Sequence, residues 1–155
     1  MNISLKSIFT GMIFFIILGF FAPTLRAQGQ ETVVLTRITP LKSAAYQFFF
    51  RADANISPGM VIDVVFPKQF NLTKVLLAAS DKIKSGFTVS VHGDTVRAMR
   101  TNAGITVSSG ELCDLKIASI INPQVIDKQY QFTVLLRKGK RILSKRPLSL
   151  KIAKR

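Results

Sequence analysis

Residues 43–67 read SAAYQFFFRADANISPGMVIDVVFP and contain two strand-like runs, residues 46–52 and residues 60–66. In each run apolar residues recur at every second position, the period of a β-strand with one buried face. The segment between the runs, DANISPG, is rich in residues that favour turns. The pattern predicts that the two runs pair as the central hairpin of a β-sandwich, with one apolar face formed by Tyr46, Phe48 and Phe50 and the other by Met60, Ile62, Val64 and Phe66.

Short strand-like runs continue on both sides of this stretch, and each is bounded by a turn signal. Residues 32–38 are rich in β-branched residues, which favour strands. Turn signals recur about every 8–12 residues, and no long segment has the 3.6-residue period of a helix. We therefore predict an all-β fold, a two-sheet β-sandwich of about 8–9 short antiparallel strands. The later strands are expected at residues 87–91, 95–100, 105–107, 112–121, 129–137 and 141–153.

Three details of this prediction are specific enough to check. Residues 69–85 have no clear period and are interpreted as a short strand or a single helical turn. In residues 112–121, one alternating set is the more apolar and should face the core: Cys113, Leu115, Ile117, Ser119 and Ile121. Pro147 should interrupt the last strand and place it at a sheet edge, because proline cannot donate a ladder hydrogen bond. Asp63 and Asp114 should lie on outer strand faces.

The N-terminus has the three-part layout of a secretory signal peptide. Lys6 precedes the apolar run IFTGMIFFIILGFF, and Leu25 and Ala27 stand at the −3 and −1 positions of a cleavage site. The run is short for a membrane span of about 20 residues, although an uncleaved anchor is the alternative. We expect a signal peptide at residues 1–27, a polar leader at 28–32 and one domain at 33–153. The mature chain should be exported and lack a transmembrane segment.

The order of landmarks resembles an Ig-like domain of bacterial and archaeal surface proteins, including adhesins. In those domains an aromatic strand precedes a segment of the type G…I.I.FP, which is followed by an NP segment and a Y.F.V strand. The corresponding landmarks here are YQF at 46–48, the run from Gly59 to Pro67, INP at 121–123 and YQFTV at 130–134. The resemblance spans roughly residues 33–153 and implies an Ig-like β-sandwich of the cell envelope. This chain carries one copy of a domain that usually occurs in tandem.

Residues able to carry out chemistry are scarce. His92 is the only histidine and lies in a His-Gly-Asp turn, where an exposed position is expected. Cys113 is the only cysteine; we expect a buried side chain, with an intermolecular disulfide as the alternative. A Cys113–His92 pair is the single candidate for a thiol nucleophile and its base. We predict no catalytic residues, no metal and no cofactor, with a calcium site at Asp53 and Asn55 as a minor alternative.

The C-terminal region is strongly basic. The chain has a formal net charge of +14, and residues 137–155 include nine basic and no acidic residues. One interpretation is protection of a sheet edge against aggregation, which lysines on edge strands provide. The other is attraction to a polyanion. The candidate polyanion-binding residues are Arg137, Lys138, Lys140, Arg141, Lys145 and Arg146.

These observations lead to two hypotheses of function. The first is a non-enzymatic, exported Ig-like module with a structural or protein-interaction role at the cell envelope, whose partner is another envelope or secreted protein. The second is a basic binding protein for an anionic envelope polymer, such as lipopolysaccharide or an acidic glycan. Nucleic acid is not expected as a partner, because no aromatic residue lies among the basic ones to stack on a base. The expected location is the periplasm, the cell surface or the medium.

Overall fold

The computed structural model describes residues 30–126 and 128–152. The predicted signal peptide, part of the predicted leader and Ala153 at the predicted domain end lie outside these ranges. Within them the chain is all-β, and no helix there could cross a membrane. The strands are β1 (Thr32–Leu35), β2 (Ser43–Arg51), β3 (Val61–Val65), β4 (Ala78–Ala79), β5 (Phe87–His92), β6 (Thr95–Arg100), β7 (Leu112–Ile121), β8 (Lys128–Lys138) and β9 (Arg141–Ile152).

The strands form two antiparallel sheets that pack face to face. One sheet has the order β1-β2-β7-β4, and the other has the order β5-β6-β3-β8-β9. On one lateral side β1 lies beside β9, and on the other β4 lies beside β5. The predicted two-sheet β-sandwich is thus confirmed. The short run predicted at residues 105–107 forms only an isolated bridge, in which Val107 pairs with Ile56.

The predicted central hairpin is wrong in its pairing. Strands β2 and β3 belong to different sheets, so the two runs face each other across the core instead of sharing hydrogen bonds. The connecting residues 52–60 carry the chain from one sheet to the other, with Ile56 fully buried. Alternation marks the buried face of a strand in either arrangement, and it therefore cannot distinguish a hairpin from two facing strands.

Aromatic rings from both sheets fill the middle of the core. The rings of Phe48 on β2 and Phe132 on β8 have centroids 5.4 Å apart in an edge-to-face arrangement. Phe66 contacts both rings edge to face, with centroids 5.4 Å from Phe132 and 5.6 Å from Phe48. Offset and edge-to-face contacts of this kind stabilise aromatic pairs beyond the burial of their area. The residues predicted to form the core are all buried: Phe48, Phe50, Ile62, Val64, Phe66, Ile117, Phe132 and Val134.

A β-bulge in β7 corrects the prediction for its last residues. Cys113, Leu115 and Ile117 face the core as expected, but Ile120 is fully buried in place of Ile121. The register against β2 shifts between the Ala44 and Tyr46 pairs, and Ser119 has a positive φ of 65°. A bulge inserts one extra residue into a strand, so the faces exchange beyond it.

The irregular segment 69–85 contains a short strand and no helix. Asn71 bridges to Ile121, and Ala118 donates a backbone hydrogen bond of 3.2 Å to the carbonyl of Leu77. β4 then pairs with β7 for two residues. This segment therefore completes the edge of the four-stranded sheet, and the short-strand interpretation is confirmed.

Strand β9 is an edge strand, as predicted, but Pro147 does not interrupt it. Pro147 pairs with Thr133 of β8, and the ladder continues on both sides. A bulge lies elsewhere, where Leu136 pairs with Ser144 and Arg137 with Ile142, leaving Leu143 as the extra residue. An edge strand tolerates proline because only one of its sides needs ladder hydrogen bonds.

Arg100, at the end of β6, holds together the loops at one end of the sandwich. Its side chain is almost fully buried and donates from Nη1 to the carbonyl of Ile56 at 2.6 Å and from Nη2 to the carbonyl of Ile105. Burial lowers the pKa of the Arg100 guanidinium, because the charged form loses hydration. Gly104, in the same group of loops, lies against the backbone of Lys84. A Cβ at Gly104 would lie 2.4 Å from the carbonyl oxygen of Lys84, so a larger residue would not fit there.

Candidate binding surface

The β8–β9 hairpin displays part of the predicted basic cluster to solvent. Lys138, Lys140 and Arg141 surround the turn, where Gly139 has a φ of 58°, and all three are exposed. Lys145, further along β9, is also exposed. Among the described residues none of these four side chains has an ion-pair partner. They form an unpaired group that we call the basic tip: Lys138, Lys140, Arg141 and Lys145.

Arg146 does not belong to this surface. It pairs in register with Val134, whose side chain is in the core, so Arg146 points toward the opposite sheet. Its Nε donates to the carbonyl of Arg51 at 2.8 Å, and its Nη2 forms an ion pair with Asp53. Arg146 therefore joins β9 to the end of β2, and its charge is already balanced within the molecule.

Arg137 is also engaged inside the molecule. Its Nε lies 2.8 Å from Oδ2 of Asp63 on the neighbouring strand β3. From the other side, Arg97 on β6 donates from Nε to Oδ1 at 2.9 Å and from Nη2 to Oδ2 at 3.0 Å. These hydrogen bonds, and then the charge of Asp63, raise the pKa of Arg97. The three side chains form an Arg–Asp–Arg cluster on the outer face of the five-stranded sheet.

The cluster changes the prediction for Asp63. The carboxylate lies on the outer face of the sheet, as expected, yet only 1% of the residue is exposed because the two arginines cover it. The side chain of Arg97 remains 42% exposed, and that of Arg137 remains 25% exposed. The cluster keeps one unbalanced positive charge beside the basic tip. Sequence reasoning missed Arg97, because its place beside Asp63 depends on the register of β3 against β6.

Asp114, the second carboxylate on a strand, is saturated by hydrogen bonds. It accepts from the backbone N–H groups of Asp81 and Lys82 at 3.0 and 2.9 Å, and from the side chains of Ser80 and Gln47. Burial alone would raise the pKa of Asp114, but these hydrogen bonds outweigh it and the pKa is lowered. The residue is 4% exposed, so Asp114 fixes the loop after β4 and has little contact with solvent.

Cys113 and His92 do not form a nucleophile–base pair. Cys113 is 1% exposed on β7 in the four-stranded sheet, whereas His92 is exposed at the end of β5 in the other sheet. Burial, followed by the charge of Glu111, raises the pKa of the Cys113 thiol to about 11. A thiol with that pKa is almost entirely protonated at neutral pH and is a poor nucleophile. The expectations of a buried Cys113 and an exposed His92 are confirmed.

The proposed calcium ligands have other partners. Asp53 accepts a hydrogen bond from Ser144 and pairs with Arg146, and Asn55 Oδ1 accepts from the backbone N–H of Ser109 at 2.9 Å. A cation at Asp53 would have to displace the guanidinium. In the described ranges no three His, Cys, Asp or Glu residues come together as metal ligands.

The fold and this surface together define a β-sandwich domain with an exposed basic tip. No family model and no curated protein matches the sequence. Among solved structures, the bacterial hydrophobin BslA aligns with a TM-score of 0.47 and 17% identity, covering 81% of this chain and 97% of that one. A non-cellulosomal cohesin from the archaeon Archaeoglobus fulgidus aligns with a TM-score of 0.38 and 9% identity, covering 77% of this chain and 81% of the cohesin.

A third structure is a collagen-binding domain from a Staphylococcus aureus adhesin. It aligns with a TM-score of 0.36 and 8% identity, covering 77% of this chain and 94% of that domain. At these identities the similarity concerns the β-sandwich architecture alone.

Proposed function

We propose that this protein is a non-enzymatic, exported Ig-like module that works by binding at the cell envelope. The observation that carries the proposal is that several ionisable side chains are engaged in structural contacts within the molecule. Asp63, Asp114 and Cys113 are buried in separate structural contacts, and Arg146 joins the two sheets. The part of the described chain that remains available for binding other molecules is therefore its exposed surface. The proposed location rests on the predicted signal peptide at residues 1–27.

A specific observation favours the second candidate function, binding of an anionic envelope polymer such as lipopolysaccharide or an acidic glycan. The four basic-tip side chains are exposed and unpaired within the described ranges, and Arg97 and Arg137 extend the positive surface along the adjoining sheet face. Flexible cations on a rigid hairpin can follow the irregular charges of a polymer. The revised binding set omits Arg146 and adds Arg97.

One experiment separates a protein partner from a polymer. The protein is incubated with isolated envelopes that are untreated, treated with protease, or extracted to leave only anionic polymer. A protein partner predicts that protease treatment removes binding. A polymer predicts that binding survives protease, weakens steeply with salt, and is competed by heparin, because displaced counterions supply much of the affinity.

The matched variants are two triple substitutions with the same change in charge. Lys138→Ser, Lys140→Ser and Arg141→Ser remove three charges from the basic tip, whereas Lys42→Ser, Lys68→Ser and Lys74→Ser remove three exposed charges elsewhere. Polymer binding predicts that the tip triple loses most of its heparin affinity and the control triple retains it. Equal losses would mean that net charge alone drives binding. Increased aggregation of the tip triple without loss of binding would instead support protection of the β9 edge.

A further inference from the structure

In the part of the chain that the structure describes, the outer edge of β5 has no strand partner. In an antiparallel ladder, alternate residues direct their N–H and C=O groups to one neighbour and the rest direct them away. Thr101 donates to the carbonyl of Gly86 at 2.9 Å, which assigns Gly86, Thr88, Ser90 and His92 to the ladder with β6. Phe87, Val89 and Val91 therefore present their backbone groups outward. Within the described ranges, β6 is the only strand paired with β5.

The other three sheet edges in the described chain are short or protected. β1 has four residues and lies beside β9, and β4 has two. β9 carries Lys145, Pro147 and Lys151, which are residues that block pairing at an edge. β5, with the sequence FTVSVH, has no proline and no Asp, Glu, Lys or Arg. It is a β-prone, uncharged edge without the usual protection.

Apolar side chains near this edge are also incompletely covered. Phe87, Val89 and Val91 pack against the core but remain partly exposed. β4, which lies beside β5, spans only two residues, so the opposite sheet ends early at this side. Just before β4, Leu76 is 85% exposed and Leu77 is 63% exposed. The open backbone edge and the uncovered apolar side chains thus occur on the same lateral side of the sandwich.

We propose that β5 is a dimerisation edge, where two copies of the chain pair antiparallel and join their five-stranded sheets into one. Side chains directly opposite in such a pair must lie on the same face, which requires residues of the same parity to meet. A two-fold axis at Val89 meets this condition. It places Val89 opposite Val89 of the second copy and Phe87 opposite Val91, and the outward backbone groups form about six hydrogen bonds.

The self-complementary register, in which Phe87 meets Val91 and Val89 meets Val89, favours a second copy as the occupant, and the charge distribution leaves β5 as the surface where two copies can approach. The chain has a net charge of +14, so two copies repel each other over most of their surfaces. β5 is a neutral segment, and the nearest cation on the outer face of β6, Arg97, is paired with Asp63. Aromatic and β-branched residues facing each other across strands are favourable pairs. This inference does not depend on the ligand proposed above.

The first test measures the mass of the protein in solution, in the form that the cell accumulates, over a range of concentrations. Wild type should be a dimer that dissociates on dilution. Val89→Pro should be monomeric, because it removes a backbone N–H that faces the open edge and leaves the ladder with β6 intact. Val89→Ala loses side-chain packing but keeps the N–H, and should dimerise more weakly. A monomeric wild type at millimolar concentration would overturn the proposal.

Crosslinking tests the register without relying on a variant that could misfold. Val89→Cys places two thiols opposite each other on the two-fold axis, with Cα atoms about 5.5 Å apart, within reach of a disulfide. Val91→Cys is the matched control on the same strand and face, where the symmetric thiols lie about 14 Å apart. Under mild oxidation only Val89→Cys should form a covalent dimer, and wild type, whose Cys113 is buried, should form none. Equal crosslinking of both variants, or of neither, would contradict the proposed pairing.

Discussion

The phenol of Tyr46 donates a 2.7 Å hydrogen bond to Oδ1 of Asn122, and both side chains are buried. Tyr46 lies on β2, and Asn122 directly follows β7. The amide nitrogen of Asn122 then donates to the carbonyls of Arg37 and Thr39, each at 2.9 Å. One asparagine therefore connects the core to the loop between β1 and β2. This gives the Asn-Pro landmark at 122–123 a structural role.

Tyr46→Phe should lower the free energy of unfolding by about 1–3 kcal/mol, because it leaves the buried Oδ1 of Asn122 without a donor. Asn122→Ala should cost more, since it also releases two loop carbonyls. Urea denaturation measures both. Tyr130→Phe is the control: its hydroxyl donates to the carbonyl of Val125, a residue that is 60% exposed, so water can replace the lost bond. Equal losses for Tyr46→Phe and Tyr130→Phe would contradict this account.

Phe132→Ala should cost about 3–5 kcal/mol, the usual range for a large aromatic side chain in a well-packed core. Phe132 is 1% exposed and meets rings from both sheets, so the neighbours cannot easily close the cavity. Phe49→Ala is the matched control, because Phe49 lies on the outer face of β2 and is partly exposed. Its loss should be clearly smaller in the same urea experiment. A loss below about 1 kcal/mol for Phe132→Ala would remove Phe132 from the core.

Asp63→Asn should lower the free energy of unfolding by about 3 kcal/mol. The substitution keeps the shape but leaves Arg97 and Arg137 without their shared carboxylate, and loss of one partner from a buried ionic cluster is strongly destabilising. The partial exposure of both arginines places the expected cost at the lower end of the usual range. Asp94→Asn, in an exposed turn, should change stability by about 0.5 kcal/mol or less. Thermal or urea unfolding of the two variants makes the comparison.

Asp114 should make the protein sensitive to acid. Because its folded-state pKa is lowered, the stability it contributes is fully present above its unfolded pKa, about 3.9, and is lost as the pH falls through the folded value. The urea midpoint of wild type should therefore fall more steeply below about pH 4 than that of Asp114→Asn. Asn keeps an oxygen that accepts from the N–H groups of Asp81 and Lys82. Parallel pH profiles for the two proteins would show that Asp114 contributes no such linkage.

Cys113 should resist alkylation in the native state. Its thiol is buried and has a pKa of about 11, so at pH 8 only about one molecule in a thousand carries the reactive thiolate. Labelling should be negligible in buffer and complete in concentrated urea. Non-reducing electrophoresis should show no disulfide-linked dimer, contrary to the alternative of an intermolecular disulfide. Rapid labelling of the folded protein would mean that β7 separates readily from the strands around it.

Alternation along the chain identified which face of each strand is buried, but it could not identify strand partners. Tyr46, Phe48 and Phe50 face the core as predicted, although β2 pairs with β1 and β7 instead of β3. The reason is physical: a side-chain period depends on one strand, whereas pairing depends on long-range contacts. The bulge at Ser119, which changes which residues of β7 face the core, was not predictable either, because serine carries no distinct sequence signal for a positive φ.

The binding surface was predictable in composition but not in detail. Clustered charges correctly placed Lys138, Lys140 and Arg141 at an exposed turn. The inward direction of Arg146 depends on the bulge in β9, and the pairing of Arg137 depends on the register of β3 against β8. Neither bulges nor register can be derived from the local sequence of this hairpin. The sequence therefore predicts more positive charges for this binding surface than remain without an ion-pair partner in the described chain.

The placement of β1 and β9 determines how the domain would carry tension. Thr32 at the start of β1 pairs near the Arg51 end of β2. Arg146 on β9 contacts Arg51, and β9 continues from there to Ile152, which pairs with Lys128 at the start of β8, so the start of β1 and the end of β9 lie at opposite ends of the sandwich. A pull between them acts along the strands. Since ladder hydrogen bonds lie perpendicular to the strands, the pull loads those of β1–β2 and β8–β9 together instead of one after another. Separating the two ends by such a pull would therefore require several ladder hydrogen bonds to break at the same time.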